Sequence, residues 1–120
     1  LPKDFPMDQV HTVLKEVGLP SEVLEKRARE LSGGQLQRVC IARTLLLNPD
    51  IIIFDESLSG LDPKTQVQIL QLLYKIHGKY QNTFIFIAHD EQLCRAICDR
   101  TLILENGQFT RELQDVAGAT

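Results

Sequence analysis

The sequence predicts an α/β protein: a mostly parallel sheet with flanking helices, preceded by a helical region and followed by a β-hairpin. Three observations carry this expectation. Ile51-Ile52-Ile53-Phe54 is an apolar run, mostly β-branched and preceded by Asn48-Pro49-Asp50, which reads as a strand buried on both faces, as in parallel sheets. Phe84-Ile85-Phe86-Ile87-Ala88 reads as a second buried strand. Between them Val67, Leu70, Leu73 and Ile76 recur at helical spacing.

Taken in order, Leu1 to Met7 carries two prolines and is expected to be an extended lead-in. Val10, Val13, Leu14 and Val17 stripe a first helix, with Asp8 as its cap and Gly18 as its stop. A second helix is expected from about Ser21, turning Val23 and Leu24 inward and Glu22, Glu25, Lys26 and Arg27 outward. A third runs from about Gly33 to Leu47, packs through Leu36, Val39, Cys40 and Leu46, and ends at Asn48-Pro49. After the first strand, Ser57 to Asp62 forms a loop. There Asp62 is a natural N-cap and Pro63 takes the first helical position, where its missing N–H does no harm. Gly78 is expected to end that helix. Asp90 caps a further helix bearing Leu93, Cys94, Ile97 and Cys98. Thr101 to Glu105 alternates as a strand, Asn106-Gly107 is a two-residue hairpin turn, and Gln108 to Leu113 returns. Ala117-Gly118-Ala119-Thr120 is expected to fray.

At 120 residues there is room for one domain, and 43% hydrophobic with 24% charged residues is an ordinary globular composition. The net charge of -3 argues against non-specific nucleic-acid binding. No apolar run approaches the roughly 20 residues of a membrane helix, so any membrane link is expected through a partner. Cys40, Cys94 and Cys98 form no metal-binding pattern, and an odd number argues against a disulfide framework. Cys94 and Cys98, four apart on an expected helix, share a face and read as small buried hydrophobes with reduced thiols.

The chemistry concentrates in two stretches. Asp55 and Glu56 stand at the carboxyl end of the first strand, where open parallel sheets place a ligand crevice. A carboxylate there can hold Mg²⁺, and its neighbour can orient or deprotonate an attacking water. Taken alone, the same stretch equally describes a strand meeting a solvated acidic loop. Ser32 can cap a helix whose first N–H groups Gly33 and Gly34 leave uncovered, with the positive end of the dipole facing out, an arrangement suited to phosphate. Taken alone, a Ser-Gly-Gly start is also what a plain N-cap looks like.

The full string changes that balance. Leu31-Ser32-Gly33-Gly34-Gln35, followed by Leu36-Gln37-Arg38-Val39 and the strand ending in Asp55-Glu56, resembles the ATP-binding subunit of an ABC transporter. Leu31 to Gln35 matches the family signature and Ile51 to Glu56 the Walker B strand. Ser59-Gly60-Leu61-Asp62 matches the D-loop and His89 the switch histidine. The resemblance implies a partial P-loop NTPase fold, with residues 1–47 in a helical subdomain and 48–120 in the carboxyl half of the ATPase core. It departs from the family pattern at Leu36, at Ser57 and at Gly60. No Gly-x-x-x-x-Gly-Lys-Ser/Thr loop occurs: Gly78-Lys79 has Leu73 and Tyr80 where glycine and Ser or Thr should stand. The chain is accordingly expected to be the carboxyl half of a longer protein, inactive alone.

In such proteins two ATP-binding subunits sandwich two ATP molecules head to tail. The resemblance implies ATP and Mg²⁺ as ligands, Asp55 on the metal, Glu56 as general base and His89 as γ-phosphate sensor. Ser32, Gly33, Gly34 and Gln35 would grip the ATP of the opposite subunit, and Asp62 would tie the two sites together. The implied partners are a second ATP-binding subunit, transmembrane permease subunits and, indirectly, an extracellular or periplasmic substrate-binding protein, at the cytoplasmic face of the membrane. Leu14 to Pro20 and Asp55 to Asp62 look most like importers of oligopeptides or nickel complexes. A soluble ABC-type ATPase of translation or DNA repair shares every motif and stands as the alternative. A non-catalytic interaction module is disfavoured because Glu56 and His89 are both present.

Overall fold

A computed structural model describes residues 4–113. The expected helix at the start forms as α1 (Met7–Glu16), with Val10, Val13 and Leu14 buried and Val17 fully enclosed just beyond it. Its entry differs from expectation. Pro6 occupies the cap position, and Asp8 lies in the first turn, where its carbonyl accepts the Thr12 hydroxyl. Gly18 does end the segment, at φ 75°, a backbone region open to glycine at little cost.

The second expected helix is instead a 3₁₀ turn, Ser21–Glu25, followed by another at Ala28–Glu30. Three residues per turn put Val23 inside and leave Leu24 exposed, because only one apolar position in so short a turn can face the core. Helix α2 (Gly33–Leu45) begins where expected and buries Ile41, Ala42 and Leu45 most deeply, while the expected Val39, Cys40 and Leu46 are half-buried and Leu36 is exposed. The buried stripe starts with Arg38, three residues before Ile41, so a charged residue disguises it. The Arg38 guanidinium satisfies its charge by donating to the Val17 carbonyl at 2.6 Å.

Strand β1 (Ile51–Asp55) is one-sided rather than buried on both faces. Ile52 and Phe54 are 6% and 5% exposed, whereas Ile51 and Ile53 are 57% and 61% exposed. Ile41 of α2, Ile52 and Phe54, and residues of the next helix share one apolar cavity of about 210 Å³. The described residues thus supply helical cover to the Ile52 and Phe54 face. That next helix, α3 (Pro63–Tyr80), buries Ile69, Leu72, Leu73 and Ile76, while Val67 is exposed. It runs through Gly78 and stops at Gln81, whose φ of 56° terminates the hydrogen-bond ladder. Glycine inside a helix costs about 1 kcal/mol, which packing at Leu73 and Ile76 overrides.

Strand β2 (Thr83–Ile87) pairs with β1. Thr83 N–H donates to the Asp50 carbonyl at 2.7 Å, bringing the starts of the two strands together as a parallel pair requires. Phe54 and Phe84 meet edge to face across this pair, with ring centres 5.2 Å apart. The expected double-sided burial fails here also, since Ile85 and Ile87 are exposed.

The chain divides into two compact units between Ile85 and Phe86. The second contains α4 (Glu91–Ile97), capped by Asp90, whose carboxylate accepts Leu93 N–H at 3.0 Å. Cys94 is buried, and burial, helped by Asp90, pushes its thiol pKa up, as suits an inert packing cysteine. Cys98 is the residue after the helix, with extended backbone, and its N–H donates to the Cys94 carbonyl at 2.9 Å. Strands β3 (Thr101–Glu105) and β4 (Gln108–Leu113) form the expected antiparallel hairpin. Asn106 and Gly107, at φ 50° and 78°, make the turn, and Arg100 grips Glu112 near the open end. The expected fraying of 117–120 lies outside the described residues, as do the first three residues of the extended lead-in.

Candidate nucleotide site

Ser32 sits at the N-cap of α2 with extended backbone, and its hydroxyl accepts Gln35 N–H at 3.1 Å. Gln35 returns the bond, its Oε1 accepting Ser32 N–H at 3.0 Å. This capping box holds the first turn in helical form from local sequence alone. It leaves the N–H groups of Gly33 and Gly34 without an acceptor four residues back, at the positive end of the helix. Gln35 keeps its side-chain NH₂ for an anion, while its carbonyl oxygen is committed to the cap.

Asp62 caps α3 in the same manner, accepting Thr65 N–H at 3.5 Å with Pro63 in the first turn. Hydrogen bonding from the Thr65 side chain, with a smaller part from its backbone N–H, holds the Asp62 carboxyl pKa below the ordinary value. The two capped helix starts are neighbours. A Cβ placed on Gly33 would come 3.4 Å from Leu61 Cδ2, and one on Gly34 would come 2.9 Å from Thr65 Cγ2. Gly33 therefore lies against Leu61 and Gly34 against the first turn of α3 within one chain.

Asp55 is the last residue of β1, exposed, and Glu56 follows in a left-handed conformation at φ 56°. Such a backbone costs a non-glycine residue about 1 kcal/mol or more and is characteristic of functional turns. It starts the loop in which Glu56 accepts Ser59 N–H through its carbonyl and in which Leu58 is buried. Among the described residues no group of three or more His, Cys, Asp or Glu side chains converges as a metal cage. An exposed carboxylate at a strand end, outside any such cage, suits a divalent ion that arrives with phosphate oxygens. His89 lies two positions beyond β2 in the second unit, exposed and directly before the α4 cap.

Among the residues that support these, the sequence reading took Arg38 and Leu61 only as members of motifs and missed Thr65. Arg38 lies on the packed face of α2, and its spacing with Ile41, Ala42 and Leu45 was the available signal. Leu61 and Thr65 carry no local signal, because their role is to meet α2. The cavity between α1 and α3, about 390 Å³, is lined by Lys15, Glu16, Lys75, Lys79 and Tyr80 and includes none of the nucleotide-site residues.

The ABC transporter family model matches residues 5–59. The chain is 42% identical over 112 residues to the metal-staphylopine import system ATP-binding protein CntF of Staphylococcus aureus, covering 93% of this chain and 45% of that protein. It is 41% identical over 109 residues to the nickel import ATP-binding protein NikE of Escherichia coli K12, covering 91% of this chain and 41% of that one. Among solved structures, MJ1267, an ATP-binding cassette of an ABC transporter, matches with a TM-score of 0.83 at 30% identity, over 96% of this chain and 45% of that chain. The dimeric cassette MJ0796 in a post-hydrolysis state, bound to ADP and Pi, matches with a TM-score of 0.75 at 33% identity, over 95% of this chain and 49% of that chain. The chain belongs to the ABC transporter ATP-binding domains and has the α/β architecture of their P-loop NTPase fold. Within that family its relatives include import-system ATP-binding proteins, and it spans less than half of their length.

Proposed function

We propose that this chain supplies the signature, Walker B, D-loop and switch-histidine half of an ATPase that energises an ABC importer. Residues 1–47 would belong to its helical subdomain and 48–120 to its catalytic core. The observation that carries the reading is the capped start of α2, where Ser32 and Gln35 lock a helix terminus with two glycine N–H groups at its end. Its relatives CntF and NikE are named for metal-staphylopine and nickel import, which supports a metal complex as cargo. An oligopeptide is the other cargo consistent with the sequence.

In this reading Ser32, Gly33, Gly34 and Gln35 hold the γ-phosphate of an ATP bound mainly by a second subunit, and Asp62 lies at the junction of the two sites. Asp55 is the residue that would hold Mg²⁺, which neutralises phosphate charge when bound. Glu56 accepts a proton from, or orients, the attacking water, and His89 donates to the γ-phosphate. Permease subunits at the cytoplasmic face of the membrane would receive the resulting motion. No helix among the described residues is long and apolar enough to cross a membrane, which supports a peripheral position.

The test is MgATP hydrolysis by the chain alone and joined to a Walker A-bearing amino-terminal half from a relative. We expect no turnover alone, turnover when joined, and loss of about a thousandfold or more on Glu56→Gln. Turnover by the chain alone, or a joined Glu56→Gln protein that still hydrolyses ATP, overturns the assignment.

A further inference from the structure

The glycines of this chain are not alike. A Cβ on Gly60, Gly78 or Gly107 would meet nothing within 4 Å, whereas one on Gly34 would stand 2.9 Å from Thr65 Cγ2. Real Cβ atoms essentially never approach so closely, so position 34 has to be bare for a reason inside this chain. Gly34 needs no unusual backbone, since it lies within helix α2. The reason is the neighbouring methyl.

That methyl has little room to retreat. Thr65 is in the first turn of α3, its N–H held by the Asp62 cap, and a β-branched side chain in a helix has few rotamers. The turn is fixed in its own right to the loop that begins at Glu56. Gln66 Nε2 donates to the Leu58 carbonyl at 3.2 Å, Leu58 is buried, and Ser59 N–H donates to the Glu56 carbonyl at 3.1 Å. On the other side, Gly34 is within the turn closed by the Ser32 and Gln35 capping box. Two locally fixed turns thus abut, most tightly at this methyl group and less so where Gly33 faces Leu61.

We propose that Thr65 is a positioning residue whose methyl group is the seat of the signature turn. It sets the spacing between the Gly33 and Gly34 N–H groups and the Glu56-to-Asp62 loop of the same chain. This rests on the ATPase reading above. The seat acts on where the anion-binding N–H groups stand and leaves the proton transfer at Glu56 to other residues. Disturbing it should raise KM for MgATP, through weaker engagement of the opposite subunit's nucleotide, with a smaller effect on kcat.

The experiment is a double-mutant cycle in the joined, Walker A-containing protein, using Gly34→Ala and Thr65→Ser, which removes the methyl and keeps the hydroxyl. Gly34→Ala is expected to raise KM about tenfold with kcat changed by about threefold or less. Thr65→Ser alone is expected to raise it about twofold, and the double variant to return within about threefold of the parent. Melting temperature is read on the same four proteins: Gly34→Ala lowers it and Thr65→Ser in that background restores it. A double variant with KM and melting temperature as impaired as Gly34→Ala overturns the seat. A parent protein without ATPase activity overturns the functional reading instead, and the melting temperatures alone then decide whether the methyl and position 34 are in contact.

Discussion

The two ends of α3 are joined to their neighbours by opposite means. At its amino end, Thr65 meets Gly34 of α2 through apolar contact with no slack. At its carboxyl end, Lys79 pairs with Glu16 of α1 and the Tyr80 hydroxyl donates to the same carboxylate. The contact at the first junction depends on shape and carries no charge of its own. The second depends on charge, with Glu16 largely covered and Lys79 mostly in solvent. Burial alone would raise the Glu16 pKa, but Lys79 and Tyr80 hold it below the ordinary value. Burial and then Glu16 push the Tyr80 pKa up to about 12. The end that lies beside the candidate nucleotide site is held by shape, and the remote end by charge and hydrogen bonding.

Substitutions can break or sharpen this contrast. The largest effect is expected at the steric end, where Gly34→Val forces a branched side chain onto Thr65 and should cost about 3 kcal/mol in chemical denaturation. Arg38 is an intermediate case, a charged group in a partly buried contact between α2 and the end of α1. Arg38→Met removes the donor to the Val17 carbonyl and should cost about 2 kcal/mol by the same measurement. Glu16→Gln keeps an acceptor for Tyr80 and loses the ion pair, so about 1 kcal/mol is expected at neutral pH. Lys79→Ala, at an exposed pair, should cost about 0.5 kcal/mol or less and fade in high salt. A Lys79→Ala loss as large as that of Gly34→Val would erase the distinction.

The pH dependence follows from signs. The folded pKa of Glu16 lies below 4.5, so its contribution is present above that pH and is lost as pH falls through the folded value. The folded pKa of Tyr80 is raised from 10.0 to about 12, so its contribution is complete below 10.0 and is lost as pH rises toward 12. Stability profiles from acid to alkaline pH should therefore droop at both ends in the parent. In Glu16→Gln the acid shoulder should flatten, and the alkaline one should shrink only in part, because burial of Tyr80 remains. Unchanged shoulders would place the titrating groups elsewhere.

Much of this protein was legible from its residues in order. Ser32 with Gln35, Asp62 with Pro63, Asp90, and the Asn106-Gly107 turn act over three or four positions, so local sequence suffices to place them. The site residues Ser32, Gly33, Gly34, Asp55, Glu56, Asp62 and His89 are proposed from their motifs for the same reason, since each stands at the end of an element. Tertiary structure alone decided which faces are covered. Ile51 and Ile53 are as apolar as Ile52, yet exposed, because burial depends on what packs against a strand and not on the strand itself. It likewise decided that Arg38 opens the packed stripe of α2, that Glu56 adopts a left-handed backbone, and that Gly34 must be bare for Thr65. Those contacts join residues 21 and 31 positions apart, across which composition and periodicity carry no information about distance.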